Sequence, residues 1–341
     1  MKLEWLEKVR EFAFPQGADS AWPPRRLSLA LQGGGSFGAF TWGVLDRLLD
    51  EEDIEFDAIS GASAGAINAV LLAAGLVEGG HIAAKAKLES FWRKISTLAP
   101  FTPFSRLTEF GVRRPREIAN WLPQMAPAEF NPFDLNPLRA ILGAEVDFAQ
   151  LNARSNISLL IAATRVEDGR LHIFRNGDLD ADKILASACL PSLHHTVYVD
   201  GVPYWDGGYA ANPPLVPLAL ESAARDILLV QVLPSKIDAV PTTAPGIARR
   251  VDRICLNAPL WAEIAAIESL RTTRNGGSSL CNKLDRLSIH RLVAEEEFDK
   301  LALADASSLD WSFLVELRDC GRAAAENWLQ QGSDSRDRRV Q

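Results

Sequence analysis

The chain is poor in the residues that would staple or anchor a fold. Its 341 residues hold only four cysteines, Cys189, Cys255, Cys281 and Cys320, scattered without paired spacing. That excludes a disulfide framework and predicts free thiols in a reducing compartment, so a cytoplasmic location is expected. No run of eighteen or more apolar residues occurs, so no membrane-spanning helix is expected. The start, Met1 to Lys8, is charged and lacks the apolar core of a signal peptide. Positive charge is short as well. Against 44 Asp and Glu stand 36 Lys and Arg, a formal net charge of −8. This balance argues against nucleic acid as a partner and against simple attraction to anionic membranes. Histidine is scarce: His81, His172, His194, His195 and His290 are all there are. A Ser–acid–His triad in α/β-hydrolase order needs a late histidine, and only His290 is late. The adjacent His194 and His195 have no cysteine or carboxylate cluster at ligand spacing, so no metal and no cofactor are expected.

Against these absences, apolar residues make up 47% of the chain, enough to bury a large core. Gly61-Ala62-Ser63-Ala64-Gly65 matches Gly-x-Ser-x-Gly, the nucleophile elbow of serine hydrolases. Before it, Ile54 to Ile59 reads as a strand. After it, Ala64 to Val77 reads as a buried helix. A serine between them must turn sharply. Gly61 and Gly65 let strand and helix backbones approach. The serine would then stand at a helix N-terminus, where free N–H groups favour developing negative charge. The bland alternative is a small-residue turn carrying an ordinary serine.

A second glycine motif precedes the first. Leu27 to Gln32 reads as a strand, and Gly33-Gly34-Gly35-Ser36-Phe37-Gly38 follows at once. Phe37, Phe40, Val44, Leu45 and Leu48 then mark one helical face. The run satisfies Gly-x-Gly-x-x-Gly, so it fits a dinucleotide-binding turn, with Asp57 near the spacing for a ribose acid. Asp57, however, leads straight into the serine elbow, which leaves no ordinary ribose site, so the preferred reading is an oxyanion hole built from consecutive backbone N–H groups. A third motif is Asp206-Gly207-Gly208. Val197 to Trp205 before it reads as a hairpin turning at Asp200-Gly201. Asp206 would leave the second hairpin strand, where its carboxylate can be brought against a serine hydroxyl.

An early glycine-rich turn, a Gly-x-Ser-x-Gly elbow and a distal Asp-Gly-Gly, in that order, resemble the patatin-like phospholipases, most closely their bacterial members. Leu185-Ala186-Ser187-Ala188-Cys189-Leu190-Pro191 also resembles the Ser-x-x-x-Pro segment those proteins carry before the hairpin. The resemblance covers about residues 27–235. It implies an α/β three-layer sandwich with a mainly parallel sheet flanked by helices. It also implies a Ser–Asp dyad: Ser63 as nucleophile, Asp206 as general base. Gly33, Gly34, Gly35, Ser36 and Gly38 would form the oxyanion hole, Gly61 and Gly65 the elbow, and Gly207 and Gly208 the support of the aspartate. At Ser36-Phe37 the turn departs from many relatives, which carry a basic residue there.

Organisation follows from pattern. Residues 1–26 are expected to form a polar leader, 27–331 one catalytic domain, and 332–341 a disordered tail. Ser158 to Thr164, Leu171 to Phe174, Asp226 to Val232 and Arg286 to Arg291 read as strands, and 250–331 is otherwise mostly helical. Between 91 and 145 the composition changes. Eight of the 27 aromatics lie there, broken by seven prolines, so the stretch reads either as an insertion capping the site and contributing to a lipid-facing surface or as one whose aromatics pack it onto the core. The expected activity is hydrolysis of a lipid acyl ester through an acyl-enzyme, with transient contact to a membrane surface. The alternative is a catalytically idle lipid-binding or scaffold protein on the same fold.

Overall fold

In the computed structural model, residues 22–98, 127–131, 134, 136–237, 239–272, 283–294 and 306–337 are described. The chain opens with β1 (Arg26–Leu31), α1 (Gly38–Leu48), β2 (Glu55–Gly61) and α2 (Ala64–Ser96). Next come α3 (Pro137–Glu145), α4 (Phe148–Arg154), β3 (Ser158–Arg165), β4 (Leu171–Arg175) and α5 (Ala181–Ser187). A hairpin of β5 (Val197–Val199) and β6 (Val202–Asp206) precedes α6 (Leu215–Glu221) and β7 (Asp226–Gln231). The chain closes with α7 (Ala244–Thr272), β8 (Ser288–Val293) and α8 (Trp311–Asp337). The hairpin turns where expected, with Asp200 and Gly201 both at positive φ, the geometry that suits strand twist.

The strands form one mixed sheet in the order β5-β6-β3-β2-β1-β7-β8, with β4 also pairing β3. From β3 to β8 all neighbours on that path are parallel. Side-chain alternation divides the core into two layers. Leu29, Leu31, Leu228 and Val230 join the larger cluster with Phe40 and Val44 of α1, Val70 and Leu71 of α2, and Leu314 and Leu317 of α8. Ala30, Ile227 and Leu229 point the other way, onto Leu215 of α6 and Leu260, Ile264 and Ile267 of α7. Helices therefore cover both faces, as a near-continuous apolar strand such as β7 requires. This is the α/β three-layer arrangement.

One register positions the site. Gly61 of β2 pairs Ile161 of β3, while Asp206 of β6 pairs Ala163. β4 occupies the other edge of β3 along this stretch. β6 thus takes up the edge of β3 that β2 leaves when it turns into the elbow. The end of the hairpin and the end of β2 meet two residues apart along β3.

Three expectations change. α2 runs on past Val77 to Ser96, with non-helical dihedrals at Gly79 and Gly80, and carries Phe91 and Trp92 into the core. Among the described residues it is the one helix long and apolar enough to cross a membrane, with 56% of its most apolar window buried in the fold. Asn68 and Glu78 interrupt the apolar run, so a search for unbroken hydrophobicity passes over it. The last helix reaches Asp337, into the stretch expected to be a disordered tail. The leader up to residue 21, the end of the tail, and Phe101, Phe104, Phe110 and Trp121 of the expected cap lie outside the described residues.

Candidate functional site

Ser63 stands between β2 and α2 with φ 53° and ψ −125°. A side-chain-bearing residue holds that conformation only when its surroundings impose it. Here small residues do so. A Cβ on Gly65 would collide with the Leu31 carbonyl, and one on Gly61 would fall 2.7 Å from the Gly65 backbone. The Ser63 N–H donates to the Ser187 carbonyl at 3.1 Å and to Ser187 Oγ at 3.0 Å. The Ser-x-x-x-Pro segment therefore clamps the elbow from the side. The Ser63 side chain itself is half-buried.

The glycine turn lies against this elbow. A Cβ on Gly33 would fall 2.5 Å from the Ala62 carbonyl oxygen and 2.7 Å from Ser63 Cβ. Its N–H groups do not all remain available. Gly33 N–H donates to Asn212 Oδ1 at 2.7 Å, Ser36 N–H to the Ala306 carbonyl at 2.8 Å, and Gly38 N–H back to Gly35 and Ser36 carbonyls. Gly34 and Gly35 N–H have no acceptor among the described residues, nor does Ala64 N–H, the residue after the serine. Of the five residues expected to offer donors, Gly34 and Gly35 thus keep an N–H without an acceptor among the described residues, as does Ala64.

Asp206 ends β6 and is buried. Its N–H donates to the Cys189 carbonyl at 2.8 Å, and its carbonyl accepts from Thr164 Oγ1 at 2.7 Å. Oδ1 accepts the Gly208 N–H at 2.8 Å. Oδ2 is buried and has no partner of standard hydrogen-bond geometry among the described residues. Burial pushes the carboxyl up from 3.8 to about 6, against the Gly208 N–H and the Ser63 hydroxyl, which both lower it. The same burial raises neighbouring Tyr209 to about 12 and Cys189 to about 11. Gly207 lets this segment pass the Ala162 carbonyl, where a Cβ would collide.

Asn212 ties the two glycine motifs together. Its Oδ1 accepts from Gly33 N–H, and its Nδ2 donates to the Gly33 carbonyl at 3.3 Å and the Leu256 carbonyl at 3.1 Å. Gln32 adds a second buried tie. Its Oε1 accepts from Val232 and Leu233 N–H, and its Nε2 donates to Asn257 Oδ1, all at 2.9 Å. Sequence reading passed over both amides, which lie in no motif of their own. The only signal was position: Gln32 directly precedes the turn, and Asn212 follows Asp206 by six residues.

Other candidates lie elsewhere. Asp57 sits at the start of β2, the opposite end from the glycine turn, and pairs with Arg26, which leaves no ribose acid at the turn. His290 bonds Asp226 Oδ1 at 2.8 Å near the N-terminal ends of β7 and β8, away from the elbow at a strand C-terminus. His195 Nε2 lies 2.8 Å from the Asn131 carbonyl.

With that geometry in place, comparison with known proteins becomes specific. The patatin-like phospholipase profile matches residues 29–219, more than half the chain. The chain belongs to the patatin-like phospholipase family. It is 27% identical over 220 residues to the uncharacterized protein YjjU of Escherichia coli K12, a match covering 64% of this chain and 55% of that protein. Among solved structures it is similar to VipD of Legionella pneumophila (TM-score 0.44, 13% identity, covering 90% of this chain and 66% of that one). It is also similar to the type III effector protein ExoU (TM-score 0.35, 18% identity, 91% and 54%). The chain thus spans about half to two thirds of the length of these relatives.

Proposed function

We propose that the chain hydrolyses lipid acyl esters through an acyl-enzyme on Ser63. Asp206 takes the hydroxyl proton as Ser63 Oγ attacks the ester carbonyl. The N–H groups of Gly34, Gly35 and Ala64 receive the oxyanion, at the head of α2 where the helix dipole adds to them. Collapse breaks the ester C–O bond, and Asp206 returns the proton to the departing alcohol. Water, deprotonated by Asp206, then cleaves the acyl-enzyme, releasing the fatty acid and restoring Ser63. A cytoplasmic protein with transient membrane contact belongs to the same reading, supported by the free thiols of Cys189, Cys255 and Cys320.

The observation that carries the proposal is the state of Asp206. It is buried, has one oxygen without a full hydrogen bond, and feels the Ser63 hydroxyl. A carboxylate raised to about 6 is a far stronger base than one in water, yet is ionised at neutral pH. Labelling by a fluorophosphonate and hydrolysis of p-nitrophenyl butyrate test the reading together. Both should vanish in a folded Ser63→Ala protein. Retention of more than about a tenth of the rate, where loss of a catalytic serine elsewhere costs about 10⁶-fold, would remove Ser63 from the role. An unlabelled wild type would favour an idle lipid-binding protein.

A further inference from the structure

We propose that the first half of α7 is the surface by which the protein docks on an anionic lipid surface. This inference rests on the lipid-hydrolase reading. The helix has two unlike halves. After Pro259, Leu260, Ile264 and Ile267 recur at i, i+4 and i+7 and are buried against the sheet. Before it, Ile247, Val251 and Ile254 recur at the same spacing and are 47%, 49% and 49% exposed. Thirteen residues separate Ile247 from Leu260. At about 100° per residue, that turns the first stripe about 140° away from the buried one, toward solvent. Val240, on the approach to the helix, is 81% exposed. A lone exposed aliphatic residue means little, but a stripe at helical spacing marks an interaction surface.

Charge selects the occupant. The whole chain carries a net charge of −8. Within five residues of this stripe, however, lie Arg249, Arg250 and Arg253 against the single acid Asp252. Arg249 is exposed, and Arg250 is held by the Ser235 carbonyl at 3.1 Å. An apolar helical face with arginines beside it fits the boundary of an anionic bilayer. A second copy docked stripe to stripe would bring like-charged arginines together. Position agrees. Two residues beyond Ile254, the Leu256 carbonyl accepts from Asn212, and Leu256 Cδ2 lies 3.0 Å from where a Cβ on Gly208 would be. Asn257 then holds Gln32 at the head of the glycine turn. A bilayer seated on the stripe would lie beside the wall of the Ser63 site, so an acyl ester could pass from it over a short path.

Vesicle sedimentation of the full chain carrying Ser63→Ala tests docking apart from turnover. Failure here would leave the hydrolase reading standing, and a chain that docks without hydrolysing would fail only the other. Binding to mixed phosphatidylcholine–phosphatidylglycerol vesicles is expected, and it should fall about tenfold or more on adding Ile247→Ser, Val251→Ser and Ile254→Ser. A separate Arg249→Glu, Arg250→Glu protein, which leaves the stripe intact, should lose binding to the anionic vesicles but not to pure phosphatidylcholine. Undiminished binding in both variants would overturn the proposal. So would a wild type that binds neither vesicle. A stripe variant that binds vesicles fully but drops in solution mass would reassign the face to self-association.

Discussion

Asp57 and Asp206 are aspartates at opposite ends of the same sheet, and they are treated in opposite ways. Asp57, at the start of β2, is surrounded by donors. Its Oδ2 accepts from Ala223 N–H at 2.6 Å, Ala224 N–H at 3.0 Å and Ser222 Oγ at 3.2 Å, and its Oδ1 accepts from Arg26. Burial pushes its carboxyl up, but the Ala224 and Ala223 N–H groups and the Arg26 guanidinium together hold it below 3.8. Asp206, at the end of β6, has one backbone donor and a serine hydroxyl, and burial wins, raising it to about 6. A fold that satisfies a carboxylate fully makes a structural tie. A fold that buries one and leaves an oxygen open raises its pKa.

The largest expected effect tests that contrast directly. Asp206→Asn should lower p-nitrophenyl ester turnover by about 10⁴-fold, on the scale of a lost triad member, because the amide cannot accept the proton. Asp57→Asn should leave turnover near wild type while lowering stability by about 2 to 3 kcal/mol, the worth of charged hydrogen bonds. Equal activity losses in two folded variants would erase the distinction.

Asn212→Ala should come next. It strips partners from Gly33 N–H and carbonyl, so the glycine turn loses its fixed orientation. Turnover should fall about 10²-fold, the scale of one misplaced oxyanion donor. Thermal melting should show about 1 to 3 kcal/mol lost from the orphaned groups. A drop in stability with unchanged turnover would make Asn212 a packing residue only.

The pH dependences should run in opposite senses. Asp57 has a lowered native pKa, so it contributes stability above 3.8 and loses it as pH falls through its native value. Asp206 has a raised one, so its ionisation opposes folding as pH climbs from 3.8 to about 6. At 1.36 kcal/mol per pKa unit, Asp206→Asn should therefore gain about 3 kcal/mol over wild type above pH 6 and nothing below pH 4. Denaturant melts of both variants across that range would show it. Wild-type kcat/KM should rise with a midpoint near 6 as Asp206 ionises.

The smallest effect is expected at His290. It is wedged between Trp22 and Trp328 and bonded to Asp226 at the far end of the sheet. His290→Gln should keep most of the rate, where losing a working general base would cost about 10²- to 10⁴-fold. A dead but folded variant would mean that the histidine, not Asp206, is the base.

Much of the elbow was legible in the chain because its causes are local. Ser63 needs small neighbours within two residues, and Gly61, Ala62, Ala64 and Gly65 declare them. The hairpin before Asp206 declares itself through Asp200-Gly201 for the same reason. The glycine turn was legible as a place but not as a set of donors. Which N–H groups stay open depends on Asn212 and Ala306, which lie 179 and 270 positions away from their partners Gly33 and Ser36. Ser187 is visible in the chain as part of a Ser-x-x-x-Pro segment, yet its grip on the Ser63 N–H follows only from where α5 ends.

The sequence by itself therefore determined the layered strand and helix pattern, the sharp turn at Ser63 and the glycines that permit it, since dihedral preference and hydrophobic period act over a few residues. Only the tertiary structure decided that the Asp206 carboxyl is raised and the Asp57 carboxyl lowered. That difference comes from the register of β6 on β3, the burial at that edge and the donors within reach. All three are set by contacts between segments far apart in the chain, where the charge on a carboxyl is governed by its surroundings and not by its neighbours in sequence.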